Sequence, residues 1–223
     1  MVLYLLFLLI PVVNKAGNGG YIIEKEEADA IYTTVNLTDT GLTREVFDLA
    51  MKGLSKLEAN GKLPNPDIIT IADYSQSSSR KRLYVIDLKN KKLLFNTYVA
   101  HGRNTGEEYA RSFSNSEGSW KSSLGFYITE QPVIGSHTGF SLILDGVEKG
   151  INDNAGKREI IIHAADYATE NFIKKYGRLG RSYGCPALPP DVNKPIIETI
   201  KGGTCFFIYN PDNAYVCSSA LLN

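Results

Sequence analysis

Cysteine is scarce in this chain: three residues in 223, Cys185, Cys205 and Cys217, with no CxxC spacing among them. That excludes a disulfide framework and argues against a thiolate zinc centre or a thioredoxin-type pair. An odd count leaves at least one thiol over, to be read as inert or reactive. Cys205, inside the apolar run "GTCFFIYN", reads as core filler; a bond from it to Cys217 is left open. Charge of either sign is not in excess, with 24 Lys+Arg against 24 Asp+Glu. No basic run carries interleaved aromatics, so nothing draws in nucleic acid or an anionic membrane surface. The apolar N-terminal run "MVLYLLFLLIPVV" extends over about a dozen residues, too short to span a bilayer and suited to a signal-peptide core. No Lys or Arg precedes it and "NKAGNGG" is a poor cleavage site, so residues 1–16 are expected to be an export signal or a retained anchor. No cysteine follows the run, so a lipoprotein anchor is not supported.

What is present suits one sizeable core. A 43% hydrophobic content over this length fits one domain, or one domain with a small subdomain. Residues 17–39 are polar and mixed and read as a linker. In "GLTREVFDLAMKGLSKLEANGK", Phe47, Ala50, Leu54 and Leu57 form one stripe beside Val46, which predicts a packing helix within 40–66. From residue 67 the pattern turns to short β-rich runs, "IITIADYS", "KRLYVIDL", "KLLFNTYVA", "GFYIT" and "FSLILDGV", separated by turn formers. The runs 82–87 and 93–99 flank a charged turn and predict a hairpin. Late helices are expected over 166–176 and 190–200, and "TCFFIYN" closes a mainly β domain over 67–223. The Gly/Ser/Asn-rich stretch "HGRNTGEEYARSFSNSEGSWKSS" is longer than a turn and reads as a functional loop.

Two segments carry chemistry. "REIIIHAADY" reads as a buried strand ending in His163, where a scaffold holds a base rigidly yet within reach. "GRSYGCPAL" presents Cys185 between a glycine and a proline. A thiol becomes a nucleophile when an imidazole takes its proton, and such a pair is assembled from separate chain segments. Gly184 lets a substrate carbonyl approach the backbone, and the N–H groups of Gly184 and Cys185 are candidates to face a developing oxyanion. On residue type alone Cys185 is either that nucleophile or buried filler. A nucleophilic thiol is expected to react below the ordinary range of about 8.5.

"IIIHAADY" followed by "LGRSYGCPAL" resembles the His and Ser/Thr-x-Gly-Cys signature of the murein L,D-transpeptidase (YkuD-like) catalytic domain family, in a subgroup with a GRSxGCPA motif. "VAHGRNTG", "FSNSEGSWKSSLGFYIT", "GFSLILDGVEKGINDNA" and "IKGGTCFFIYNP" extend the resemblance over about residues 67–212. It implies a β-sandwich with a few short peripheral helices and cysteine acyl transfer on peptidoglycan stem peptides, without a cofactor. Cys185 would attack the third stem residue and release the terminal D-alanine. His163 would be the base, and a backbone carbonyl at Ala164 would orient it. Where the commoner pattern has a histidine two positions before the cysteine, this chain has Tyr183. Arg181 and Ser182 are the natural substitutes, for a substrate carboxylate and a contact near the thiolate; a structural ion pair or turn contact is the alternative for both. Tyr183, His137 and His101 are assigned to the substrate-facing surface, and Trp120, Tyr127 and Tyr167 are further cleft candidates. The three histidines match no metal-ligand spacing. Two other readings stand beside the transpeptidase: an L,D-carboxypeptidase, in which water resolves the thioester, and a non-catalytic peptidoglycan-binding protein.

Overall fold

The structure, a computed structural model, describes residues 25–223. The expected signal or anchor at 1–16 lies outside the described residues. The expected linker is helical where it is described: α1 spans Lys25–Thr34 and α2 Leu37–Thr40, followed by α3 at Arg44–Ala59. The correction has a packing reason. Ala28 and Ile31 lie three positions apart and are buried, Leu37 is fully buried, and Tyr32 packs on Phe47 of α3 with ring centroids 5.4 Å apart. Asp29 also pairs with Arg44 across the two helices.

Helix α3 starts where Thr43 accepts a hydrogen bond from the Val46 N–H, an N-cap. Its stripe of Val46, Phe47, Ala50, Leu54 and Leu57 is buried, and so is Gly53. A Cβ at Gly53 would sit 2.0 Å from the Phe126 ring. Overpacking at a site this tight destabilises by about 1–3 kcal/mol. Gly53→Ala is therefore expected to lower the denaturant midpoint with an unchanged slope, and Phe126→Leu in the same chain to restore part of it.

The expected β-runs form β1 (Ile68–Asp73), β2 (Leu83–Asp87), β3 (Lys92–Thr97), β4 (Gly125–Gly135), β5 (Gly139–Gly146), β6 (Ile161–Ala164) and β8 (Cys205–Tyr209), with a two-residue β7 (Ala187–Leu188) that the sequence did not announce. The hairpin β2–β3 is antiparallel, as expected. Strand β4 runs past the expected "GFYIT", with a register shift between Thr129 and Pro132, where proline lacks the N–H a regular ladder needs. Helices α4 (Glu170–Tyr176) and α5 (Pro190–Ile200) follow, the first after a 3-10 turn at Asp166–Ala168. The unexpected α6 (Asn213–Ser218) is capped by the Asp212 side chain.

Mainly β with a few short helices is what the chain forms. The strands, expected as a sandwich, are hydrogen-bonded in one continuous order, β3-β2-β1-β8-β4-β5-β6-β7. Three residues beyond β3, Ala100 exchanges backbone hydrogen bonds with Ala187 of β7, at 2.9 and 3.3 Å. The two ends of the order thus meet one turn from Cys185. In the core, Phe126 stacks on Phe207 at 4.1 Å under α3, and Ile196, Ile197 and Ile200 of α5 are buried. All three cysteines are free: Cys205 is buried in β8, and Cys217 is exposed on α6.

Candidate active site

Strands β6 and β7 run parallel with His163 opposite Ala187, and the His163 N–H bonds the Pro186 carbonyl at 3.3 Å. This register sets the histidine beside the turn that carries Cys185. The ring is oriented from behind. Nδ1 lies 2.9 Å from the carbonyl oxygen of Ala164, which can only accept, so Nδ1 carries the proton and Nε2 keeps its lone pair. Burial lowers the pKa of His163 below its ordinary value, opposed by the Ala164 bond, so the imidazole is neutral at pH 7.

The Cys185 side chain is half-buried and its thiol donates to the Glu159 carbonyl at 3.6 Å, not to the imidazole. Burial pushes this thiol up, against the opposing pull of the Ile161 N–H and the Arg158 guanidinium. The direction of this shift is against a thiolate standing preformed below the ordinary thiol range. Two groups that burial holds uncharged make a resting pair of thiol and imidazole, and deprotonation has to accompany attack.

Ser182 locks the cysteine turn. Its Oγ accepts from the Gly184 N–H at 3.1 Å and donates to the Cys185 carbonyl at 2.6 Å. Its own N–H bonds the His101 carbonyl at 3.0 Å, and its carbonyl accepts from Arg103 N–H at 2.8 Å. Two corrections follow. Ser182 holds the backbone rather than the sulfur, and the Gly184 N–H is engaged, which leaves the Cys185 N–H for an oxyanion. Gly184 is nevertheless required: its φ of +131° disfavours a side chain, and a Cβ there would lie 3.0 Å from the Lys121 carbonyl. We expect Ser182→Ala to slow acylation about a hundredfold by letting the nucleophile shift, with the thermal transition lowered by only a few degrees for the buried hydrogen bonds lost, and partial recovery of both in Ser182→Thr. Single-turnover acylation beside a melt checks both.

Other assigned residues sit elsewhere. Arg181 Nη1 bonds Glu107 at 2.6 Å, with the Arg103 and Gly106 carbonyls at 3.3 and 3.4 Å, and Arg178 shares the same carboxylate. This is the structural ion pair, not a guanidinium open to substrate. His101, only 1% exposed, cannot reach a substrate. Its Nδ1 accepts from the buried Arg82 at 2.8 Å, and Nε2 donates to the Gly106 carbonyl at 3.3 Å. Burial first, then Arg82, lowers its pKa to about 3. His137 is exposed in the β4–β5 turn and bonds neither Cys185 nor His163. Tyr127 is fully buried, its hydroxyl donating to the Ser123 carbonyl, so it lines no cleft. Tyr167 packs against the cluster of Ala100, Ala168, Leu179 and Ala187, and burial, with smaller contributions from Cys185 and Tyr183, pushes its hydroxyl up to about 12.

Tyr183 is 67% exposed and faces Trp120, itself 45% exposed, with ring centroids 5.3 Å apart. Trp120 has a φ of +53°, a conformation that costs a bulky residue on the order of 1–3 kcal/mol. Its carbonyl accepts from the Asn104 N–H at 3.1 Å. The cysteine turn rests on two residues that sequence reasoning missed. Ser122 Oγ donates to the Gly184 carbonyl at 3.0 Å and accepts from the Gly102 N–H at 3.0 Å. Arg158 binds the carbonyls of Lys121 and Ser114 and the Ser123 hydroxyl beneath Gly184. A cavity of about 370 Å³ is lined by Glu117, Gly118, Trp120, Lys157, Arg158, Glu159 and Tyr183; Cys185 does not line it but bonds the carbonyl of Glu159, which does.

With this geometry in view, the family model of the L,D-transpeptidase catalytic domain matches residues 38–209, and the chain belongs to that family. The matched span begins before the expected boundary at residue 67 and takes in α3. No curated protein matches the chain. Solved structures similar to it include an L,D-transpeptidase from Mycobacterium smegmatis, 10% identical over 65% of this chain and 59% of that one, with a TM-score of 0.40. Another is a variant of the helical cell shape determining protein Pgp2 from Campylobacter jejuni, 14% identical over 76% and 57%, TM-score 0.45. A third is an L,D-transpeptidase from Stackebrandtia nassauensis, 13% identical over 84% and 79%, TM-score 0.39. The chain thus spans less than two thirds of the first two structures.

Proposed function

We propose that this protein is a murein L,D-transpeptidase of the subgroup carrying the GRSxGCPA motif, exported to the periplasm or cell envelope, with peptidoglycan stem peptides as donor and acceptor. The observation that carries the reading is the bond from His163 Nδ1–H to the Ala164 carbonyl, which leaves Nε2 as a free base beside the cysteine turn. Cys185 Sγ attacks the carbonyl carbon of the third stem residue as its proton passes to Nε2. The Cys185 N–H faces the oxyanion. Collapse breaks the peptide bond, and the imidazolium returns the proton to the departing D-alanine amine, leaving a thioester. The side-chain amine of a neighbouring stem then attacks, His163 takes its proton, and the thiol is released with a 3→3 cross-link formed. Export is read from the apolar N-terminal run.

The test is mass spectrometry of disaccharide-tetrapeptide incubated with the wild-type chain and with Cys185→Ala. A 3→3 dimer from the wild type alone is expected. Tripeptide without dimer would make the protein an L,D-carboxypeptidase, and no product from either would leave a binding protein.

A further inference from the structure

Trp120 combines two features that rarely coincide: its backbone is held at positive φ, and its ring remains in solvent. Strain that positions a ring outside the core is not repaid by burial, and such strain gathers at sites that hold a ligand. Tyr183 stands beside it, still more exposed, with the two planes 48° apart. Arg103 lies over both rings, at 5.2 and 6.0 Å from their centroids, and does not line the adjoining cavity. The cavity instead presents the two aromatic rings with Glu117, Lys157 and Glu159 around them, and Cys185 donates to the carbonyl of that same Glu159.

We infer that Trp120 and Tyr183 form a platform for a sugar ring of the glycan strand, an N-acetylhexosamine, beside the thiol that acts on the attached peptide. This rests on the reading of the substrate as peptidoglycan and adds to it a contact with the saccharide. A pyranose has an apolar C–H face that lies on an aromatic ring, and hydroxyl and acetamido groups around its rim that need polar partners; two tilted rings with charged side chains at the margin meet both needs. A stem peptide fits less well here. Extended peptides take up a row of backbone donors and acceptors at a sheet edge, whereas residues 117–120, 157–159 and 183 all lie outside the strands. The cavity also offers no enclosed apolar hole for a side chain.

Trp120 is the single tryptophan of the chain, so its emission reports directly on this site. The full chain carrying Cys185→Ala, which binds without turnover, is titrated with the peptide-free disaccharide N-acetylglucosaminyl-N-acetylmuramic acid and separately with free tetrapeptide. A saturable emission change with the disaccharide is expected, weakened about tenfold in a chain that also carries the surface change Tyr183→Ala. A response to tetrapeptide but not to disaccharide, a response to neither, or an affinity unchanged by Tyr183→Ala overturns the proposal. Because this readout needs no reaction, it is separate from the product assay: cross-linking without a sugar response sinks the platform alone, and a sugar response without product sinks the transpeptidase alone.

Discussion

His163→Gln lowers kcat/KM for acylation by about a thousandfold, and Cys185→Ala abolishes it. The shape of the pH profile tests the mechanism more sharply than the loss. Burial holds the imidazole pKa below its ordinary value and the thiol pKa above its own. In the wild type, kcat/KM is therefore level from somewhat below about pH 6.5 to beyond about pH 8.5, and falls in acid as His163 takes up a proton. Without the base only pre-formed thiolate reacts, so the residual rate of His163→Gln climbs about tenfold per pH unit until the raised thiol pKa is reached. Stopped-flow acylation across pH distinguishes the cases. Two profiles of the same shape would show that His163 does not take the proton.

The second large effect concerns stability in acid. His101 has a folded pKa of about 3, whereas an unfolded histidine titrates near about 6.5. Between these values the unfolded chain binds a proton that the folded chain refuses, so stability is full above the unfolded value and is lost as the pH falls toward the folded one. At about 1.4 kcal/mol per unit, the His101 contribution to that loss is on the order of 3 kcal/mol by about pH 4. Glutamine at 101 can accept from Arg82 and donate to the Gly106 carbonyl without titrating. Urea unfolding of His101→Gln should accordingly decline less than the wild type from about pH 6.5 to 4. Parallel curves would show that this histidine is not the acid-sensitive group. Since the His101 carbonyl accepts from Ser182, opening at this point also loosens the cysteine turn.

Much of the framework was legible because apolar runs and turn formers alternate clearly: the strands from Ile68 onward, the β2–β3 hairpin, the stripe of α3, and the bounds of α5 at Pro190 and Ile200. Helix α1 was not, because Ala28 and Ile31 are a thin apolar signal whose meaning comes only from Phe47 of another helix. Chemistry was legible where side-chain type dictates it, as at Cys185 and His163, and where the family resemblance pointed to Ala164. It was misread where a charged or ring group looked available: Arg181 meets Glu107 and His101 meets Arg82 through pairings that local pattern does not encode. Ser122 and Arg158 escaped notice because they act on backbone carbonyls, which every residue carries.

The bridge between Ala100 and Ala187 has a bearing on the order of events when the chain acquires its structure. Its partners are about 90 positions apart, so a long stretch of chain loses freedom before this contact repays the cost. The Cys185 turn hangs on that closure, being tied to His101 and Gly102 on one side and to His163 on the other. A half-assembled molecule can therefore hold His163 beside the Cys185 turn through β6 and β7 while the other side of that turn is still open. Until it shuts, the thiol stands on a turn that Ser182 cannot yet anchor to the 101–103 segment, and attack on a carbonyl is left to whatever thiolate forms without that positioning.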